Sequence, residues 1–256
     1  MLISIEQINT WMGTLLWPLF RVAGLLSIMP TLGGGEVPAR VRIGLAVAIT
    51  WLILPSIGAV PALDPLSVDS ILISAQQVLI GVAMGLIVLL VFNAVTLAGE
   101  SIAITMGLGF ALMNDPQNGV QVPTVSQFYL ILATLLFLSF NGHHAVLILL
   151  STSFTMLPIG GSLDADALWH LVSWGSVVFR GGLAIALPAI TAMLSVNIVM
   201  GVITRAAPQL NLFSIGFPIT MTVGFLMIMV TLPVFGQEFQ SLMAEAQVAL
   251  SNLLSH

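Results

Sequence analysis

From Ser70 to about Met113 the chain is apolar with almost no interruption, and its only ionisable side chain there is Glu100. Fully helical, such a run measures roughly 65 Å, about twice the hydrocarbon core of a bilayer. It therefore bends, extends past the bilayer, or divides in two. A soluble domain is typically about a quarter charged. This chain is 6% charged and 58% hydrophobic over 256 residues, with mean hydropathy +1.12. That composition implies an integral membrane protein, or a subunit buried inside a larger apolar assembly. Lysine is absent, and the basic residues are Arg21, Arg40, Arg42, Arg180 and Arg205. With net charge −5, nothing suggests nucleic-acid binding. The lack of cysteine excludes disulfides and thiolate metal ligands. The first residues, Met1 to Trp11, hold an acid and no base, unlike a cleaved signal peptide, so the first apolar run is expected to stay as a helix. No polar tract is large enough for a soluble domain, and the chain reads as one membrane-type domain.

Ile8 to Met29 forms a first expected span, with Arg21 inside it. An arginine at mid-span costs roughly 2.5–3.5 kcal/mol, so it should face protein or water unless it snorkels to the nearer interface. Thr31 to Arg42 is a turn broken by three glycines and Pro38; without Gly-Lys-Ser/Thr it is no phosphate loop. A second span, Val41 to about Val60, leads through the connector Pro61 to Asp69 into the long run. There Gly81 and Gly85 make a GxxxG pair suited to close helix contact. Asn93, Thr96 and Glu100 share one helix face that should avoid lipid. Thr124 to Phe140 and His143 to Leu157 read as an antiparallel hairpin across Asn141 and Gly142. His143 and His144 diverge on a helix, which favours capping or interface placement over metal binding. Ala167 to Thr204 is over-long and interrupted by Arg180, Gly181, Gly182 and Pro188, as in a hairpin or a kinked helix. A last span, Ile219 to Phe235, precedes an amphipathic tail. Its face of Phe239, Leu242, Met243, Ala246, Leu250 and Leu253 is expected against a partner or the membrane surface. Arg40 and Arg42 suggest a cytoplasmic first loop, although five basic residues do not fix a topology.

Gly99 to Pro123 stands out as the candidate functional stretch. It holds Glu100, the Gly107-Leu108-Gly109 break, Met106, Phe110 and Met113, and the polar turn Asn114-Asp115-Pro116. Loosened backbone of this kind cannot face lipid with its polar groups unpaired, so it is buried in protein or lines a water-filled path. Catalytic constellations are missing: there is no His-x-x-x-His or Glu-x-x-His, no Gly-x-Ser-x-Gly, and no paired intramembrane aspartates. The sequence therefore reads as no enzyme and calls for no cofactor or metal. A stand-alone secondary transporter with a broken-helix site remains an alternative, as does a non-conducting membrane scaffold.

The ordered motifs resemble the FliR family of type III export-gate subunits, found in bacterial flagella and injectisomes. They are Phe20 to Gly24 with Pro30; Val37 to Arg42; Gly99-Glu100; Gly107 to Phe110; Asp115-Pro116; Asn141 to His144; Ser151 and Pro158; Leu187-Pro188; and Arg205 to Pro218, with Pro208 and Asn211. The resemblance implies an all-α, polytopic fold of membrane-type helical hairpins: a FliP-like part, about residues 1–166, followed by a FliQ-like hairpin and tail, about 167–256. It also implies a hetero-oligomer with FliP and FliQ homologues around a central pore, an associated FlhB homologue, and passage of unfolded flagellar proteins. Energy would come from the proton-motive force and a separate ATPase. The expected location is the inner membrane and flagellar basal body. On that footing Met106, Gly107, Leu108, Gly109, Phe110, Met113, Asn114, Asp115 and Pro116 are expected to help plug the pore. Arg21, Arg40, Arg42, Glu100, Arg205, Pro208 and Asn211 are expected at interfaces or in buried charge pairs, with Glu100–Arg21 as one such pair. Proton coupling at Glu100 is a further alternative.

Overall fold

The computed structural model describes residues 5–33, 37–58, 60–61, 63, 67–108, 124–207 and 212–255, apart from the side chains of 5–10, 12 and 212–215. Among them the long elements are all helices: α1 (Ile5–Ile28), α2 (Ala39–Ile53) with a 3-10 turn (Leu54–Ser56), α3 (Val68–Thr105), α4 (Thr124–Ser139), α5 (Gly142–Met156), α6 (Ala165–Trp174), α7 (Val177–Ala206) and α8 (Leu212–Ser255). Among the described residues, four stretches are long and apolar enough to cross a membrane: 39–56, 68–105, 165–206 and 216–255. The α4–α5 pair supplies a fifth if it is one broken span.

Local chemistry sets several helix ends. Pro38 is the N-cap of α2, and its missing N–H costs a helix start nothing. The Ser67 hydroxyl accepts from Ser70 N at the start of α3. Asp164 caps α6 by accepting from Ala167 N at 2.7 Å. Arg40 and Arg42 sit in the first turn of α2, the end where a helix dipole disfavours cations. Arg40 is exposed, and Arg42 donates to the Val37 carbonyl at 3.3 Å.

The helices divide more simply than the sequence suggests. Within the long apolar run, Val68–Thr105 is one continuous 38-residue helix, α3, spanning about 57 Å. Arg180, Gly181 and Gly182 do not interrupt α7, and Pro188 lies inside it; the two helices α6 and α7 form one 42-residue candidate span, not a hairpin. The last span and the tail are a single 44-residue helix, α8, with Pro218 and Pro233 inside. The expected tail face is buried by the chain itself, with Phe239, Ala246, Leu250 and Leu253 at 1% exposure or less. The expected antiparallel hairpin of α4 and α5 is instead a 62° bend. Asn141, in the left-handed region at φ 55°, redirects the chain at the two-residue connection Phe140–Asn141.

The chain forms two compact units, each assembled from separated segments. Residues 1–90, 141–175 and 243–256 make the first; residues 91–140 and 176–242 make the second. In the first, α1 and the N-terminal part of α3 touch backbone to backbone. A Cβ on Gly24 would stand 2.6 Å from the Val78 carbonyl, and one on Gly85 2.9 Å from the Leu25 carbonyl; at Gly81 it would run into the carbonyl of Arg21. The GxxxG pair thus makes the close contact its spacing implies. In the second unit, Gly99 packs on Ser126 of α4 in the same way: a Cβ there would stand 2.5 Å from the Ser126 Cα. Gly181 and Gly182 pack on Leu242, Ala94 and Leu97. Phe92 makes edge-on contacts with Phe137 at 5.7 Å and Phe239 at 5.8 Å, and Tyr129 with Phe235 at 5.0 Å.

Candidate functional site

The candidate stretch begins at Gly99 in the last two turns of α3 and runs past the helix end, inside the second unit. Gly107 has φ +82°, a left-handed conformation that glycine adopts without Cβ strain. Leu108 N bonds back to the Ala103 carbonyl and Gly107 N to the Ile104 carbonyl, both at 3.0 Å. That pair of bonds is the Schellman ending of a helix. Two terminal carbonyls then take side-chain donors from other helices. Asn197 Nδ2 of α7 donates to Thr105 O at 3.2 Å, and Thr220 Oγ1 of α8 donates to Met106 O at 3.3 Å. A polar helix end inside an apolar protein is thereby satisfied. Beside it lies a cleft of about 370 Å³ bordered by Ile104, Gly107, Asn197, Met200, Phe217 and Thr220.

Met106 is fully buried. Its Cγ, Sδ and Cε lie where a Cβ on Gly224 of α8 would come, at 2.5, 2.8 and 2.6 Å. It is thus an anchor held within the unit, not a side chain free to seal a path. Leu108 is half-buried. Gly109, Phe110, Met113, Asn114, Asp115 and Pro116 lie outside the described residues, as do Pro208 and Asn211.

Arg21 organises the first unit. It is fully buried, yet no carboxylate is among its partners. Nε donates to Gln77 Oε1 at 2.8 Å. Nη1 donates to the Ser153 carbonyl and hydroxyl, and Nη2 to the Leu157 carbonyl, each at 2.9 Å. The Phe154 ring lies 4.2 Å below the guanidinium carbon, a cation–π contact. Ser153 and Leu157 belong to the last turn and cap of α5, so a cation from α1 supplies a donor to the cap carbonyl of Leu157 and a second donor to the Ser153 carbonyl, which already accepts from Leu157 N. The expected Arg21–Glu100 pair is therefore not formed. The guanidinium fork can be filled by neutral oxygens when several converge. Gln77 and Ser153 were missed because an uncharged acceptor gives no signal in a hydropathy profile; their only trace is polarity within apolar helices.

Glu100 is half-buried, and its carboxylate has no hydrogen-bond or ion-pair partner among the described residues. Asn93, on the same face, is exposed, so the chain itself leaves that face open. Arg205, in the last turn of α7, is exposed. No three His, Asp or Glu side chains among the described residues come together as a metal site.

Fold and site together define a helical, multi-span membrane protein whose polar groups brace helix ends. Known proteins narrow the class. The profile of the bacterial export proteins, family 1, matches residues 12–246. The flagellar biosynthetic protein FliR of Escherichia coli is 40% identical over 256 residues, covering 99% of this chain and 97% of that protein. FliR of Pectobacterium carotovorum is 39% identical over 98% of this chain and 96% of its own length. FliR of Bacillus subtilis is 28% identical, over 92% of each. The chain belongs to family 1 of the bacterial export proteins, with the flagellar FliR proteins. It is a multi-pass inner-membrane component of the flagellar export apparatus.

Proposed function

We propose that this chain is one FliR-type subunit of the flagellar export gate. It assembles with FliP and FliQ homologues around a central pore, with a FlhB homologue associated and the basal body as its setting, and unfolded flagellar proteins pass through. Residues 1–166 and 167–256 correspond to its FliP-like and FliQ-like parts. The chain acts by forming and closing a path, not by catalysis.

One observation carries the assembly. Candidate spans of 42 and 40 residues, 165–206 and 216–255, are only 22% buried within the chain over their most apolar windows. About 20 residues suffice to cross a bilayer. Their bare apolar surface is longer than lipid covers, and neighbouring apolar subunits account for the remainder. The segment from Met106 to Pro123 we assign to the plug, rooted at Met106 and Gly107 and formed from Leu108 onward.

The test is the mass of the complex purified in mild detergent through a tag on this chain, co-expressed with its genomic neighbours. The expected result is a defined hetero-complex with one copy of this chain and several copies of two smaller hydrophobic proteins. A homo-oligomer that binds a small solute would replace this reading with a transporter. For the plug, deletion of residues 107–121 is expected to raise ion leakage with assembly intact; unchanged permeability would remove the plug assignment.

A further inference from the structure

The Met106–Gly224 contact has a geometry that ordinary core packing does not require. Gly224 lies in the interior of α8, where glycine is about 1 kcal/mol less favourable than alanine. The missing Cβ is the space that Met106 fills, with Cγ, Sδ and Cε all within 3 Å of the Cβ position. Rotation about the terminal bond would move Cε alone, so an added methyl displaces the whole side chain. Met106 is fully buried and has no exposed direction in which to retreat. Its backbone carbonyl is held by Thr220, one helical turn before Gly224. The next residue, Gly107, meets the ring of Phe217, where a Cβ would stand 3.6 Å from Cδ2. Three positions of α8, 217, 220 and 224, thus line one face and grip two consecutive residues at the end of α3.

We propose that this grip is a key: Gly224 is a positioning residue that seats Met106 and so fixes where the chain leaves α3 and in which direction it continues. The inference rests on the plug assignment above for its functional consequence, and on the geometry alone for the seating. A key of this kind couples α8 to the segment after Gly107. A displacement of α8 at its 217–224 face moves the root of that segment with it.

The experiment uses the assembled complex with four forms of this chain: wild type, Gly224→Ala, the double variant Gly224→Ala with Met106→Ala, and the 107–121 deletion. Two quantities are read: ion leakage across the membrane in all four forms, and, in the three forms that keep residue 108, the mobility of a spin label on Leu108→Cys. The label is specific within this chain, which has no native cysteine. Gly224→Ala is expected to raise leakage about tenfold with assembly retained, the population change that about 1.4 kcal/mol produces. It is also expected to mobilise the label at position 108. The double variant, which removes the displaced side chain, is expected to return both toward wild type, a rescue that simple helix destabilisation would not show. If the deletion leaks but Gly224→Ala leaves leakage and label unchanged, the key is overturned. If the deletion does not leak while Gly224→Ala still mobilises the label, the key stands and the plug assignment falls. A variant that no longer assembles is replaced by Met106→Leu, which keeps Gly224 and reshapes the side chain; an unchanged label there also overturns the key.

Discussion

The two compact units solve the same problem, a close-packed apolar interior, with opposite chemistries. The first converges on a buried cation, Arg21, whose donors reach Gln77, Ser153 and Leu157. The second converges on rings, Phe92 with Phe137 and Phe239, and Tyr129 with Phe235. Hydrogen bonds from a buried charge are directional, and each depends on all its partners being in place. Ring contacts tolerate adjustment and add about 0.5–1.5 kcal/mol per pair beyond area. The first unit should therefore fail abruptly when altered and the second by degrees.

The largest effect is expected at Arg21. Arg21→Ala leaves the buried Gln77 and Leu157 acceptors without their donor, at about 1–3 kcal/mol for each group left unsatisfied. Loss of assembled complex, or a collapse of its thermal midpoint in detergent, is the measurement. An Arg21→Ala complex as stable as wild type would erase the contrast between the units.

Next comes the glycine seam. Gly81→Ala drives a methyl into the Arg21 carbonyl, and overpacking of this kind costs about 1–3 kcal/mol. Gly44→Ala is its control, because a Cβ there meets nothing within 4 Å, and it should be neutral or slightly stabilising. Equal thermal shifts for the two would show that contact geometry is not the cause.

Phe92→Leu in the second unit should cost about 1–2 kcal/mol, a shifted midpoint with the complex still formed. An all-or-none loss there would make the aromatic unit as brittle as the first. The smallest effect is expected at Glu100. Half-buried and without a partner among the described residues, it should tolerate Glu100→Gln within about 0.5 kcal/mol. Loss of assembly in that variant would place a partner-chain cation against its carboxylate.

The pattern of these side chains explains what could be read in advance. Apolar runs and their breaks located the helices, and the Gly81–Gly85 spacing located a backbone-to-backbone contact. The buried face of α8 from Phe239 to Leu253 was legible in the same way, though not what covers it. Continuity was harder to read: Gly181, Gly182 and Pro188 are helix breakers in water, but within a packed apolar helix the glycines serve close approach instead. The partners of Arg21 were illegible because the nearest sequence signal for a buried arginine is an acid, and the chain uses carbonyls 132 and 136 residues away. The key at Met106 escaped for a related reason: Gly224 is one glycine among 23, and only the fold shows which of them faces a methionine.

The central claim is that protein, not lipid alone, covers the bare faces of α2, α7 and α8. Trp51, Phe179 and Met229 stand 73%, 72% and 70% exposed on these helices. A photo-crosslinking amino acid at each of the three positions, in cells that make the whole export apparatus, tests it most directly. Adducts to small hydrophobic membrane proteins at positions on α7 and α8 are the predicted result. Lipid adducts alone at all three positions would contradict the account.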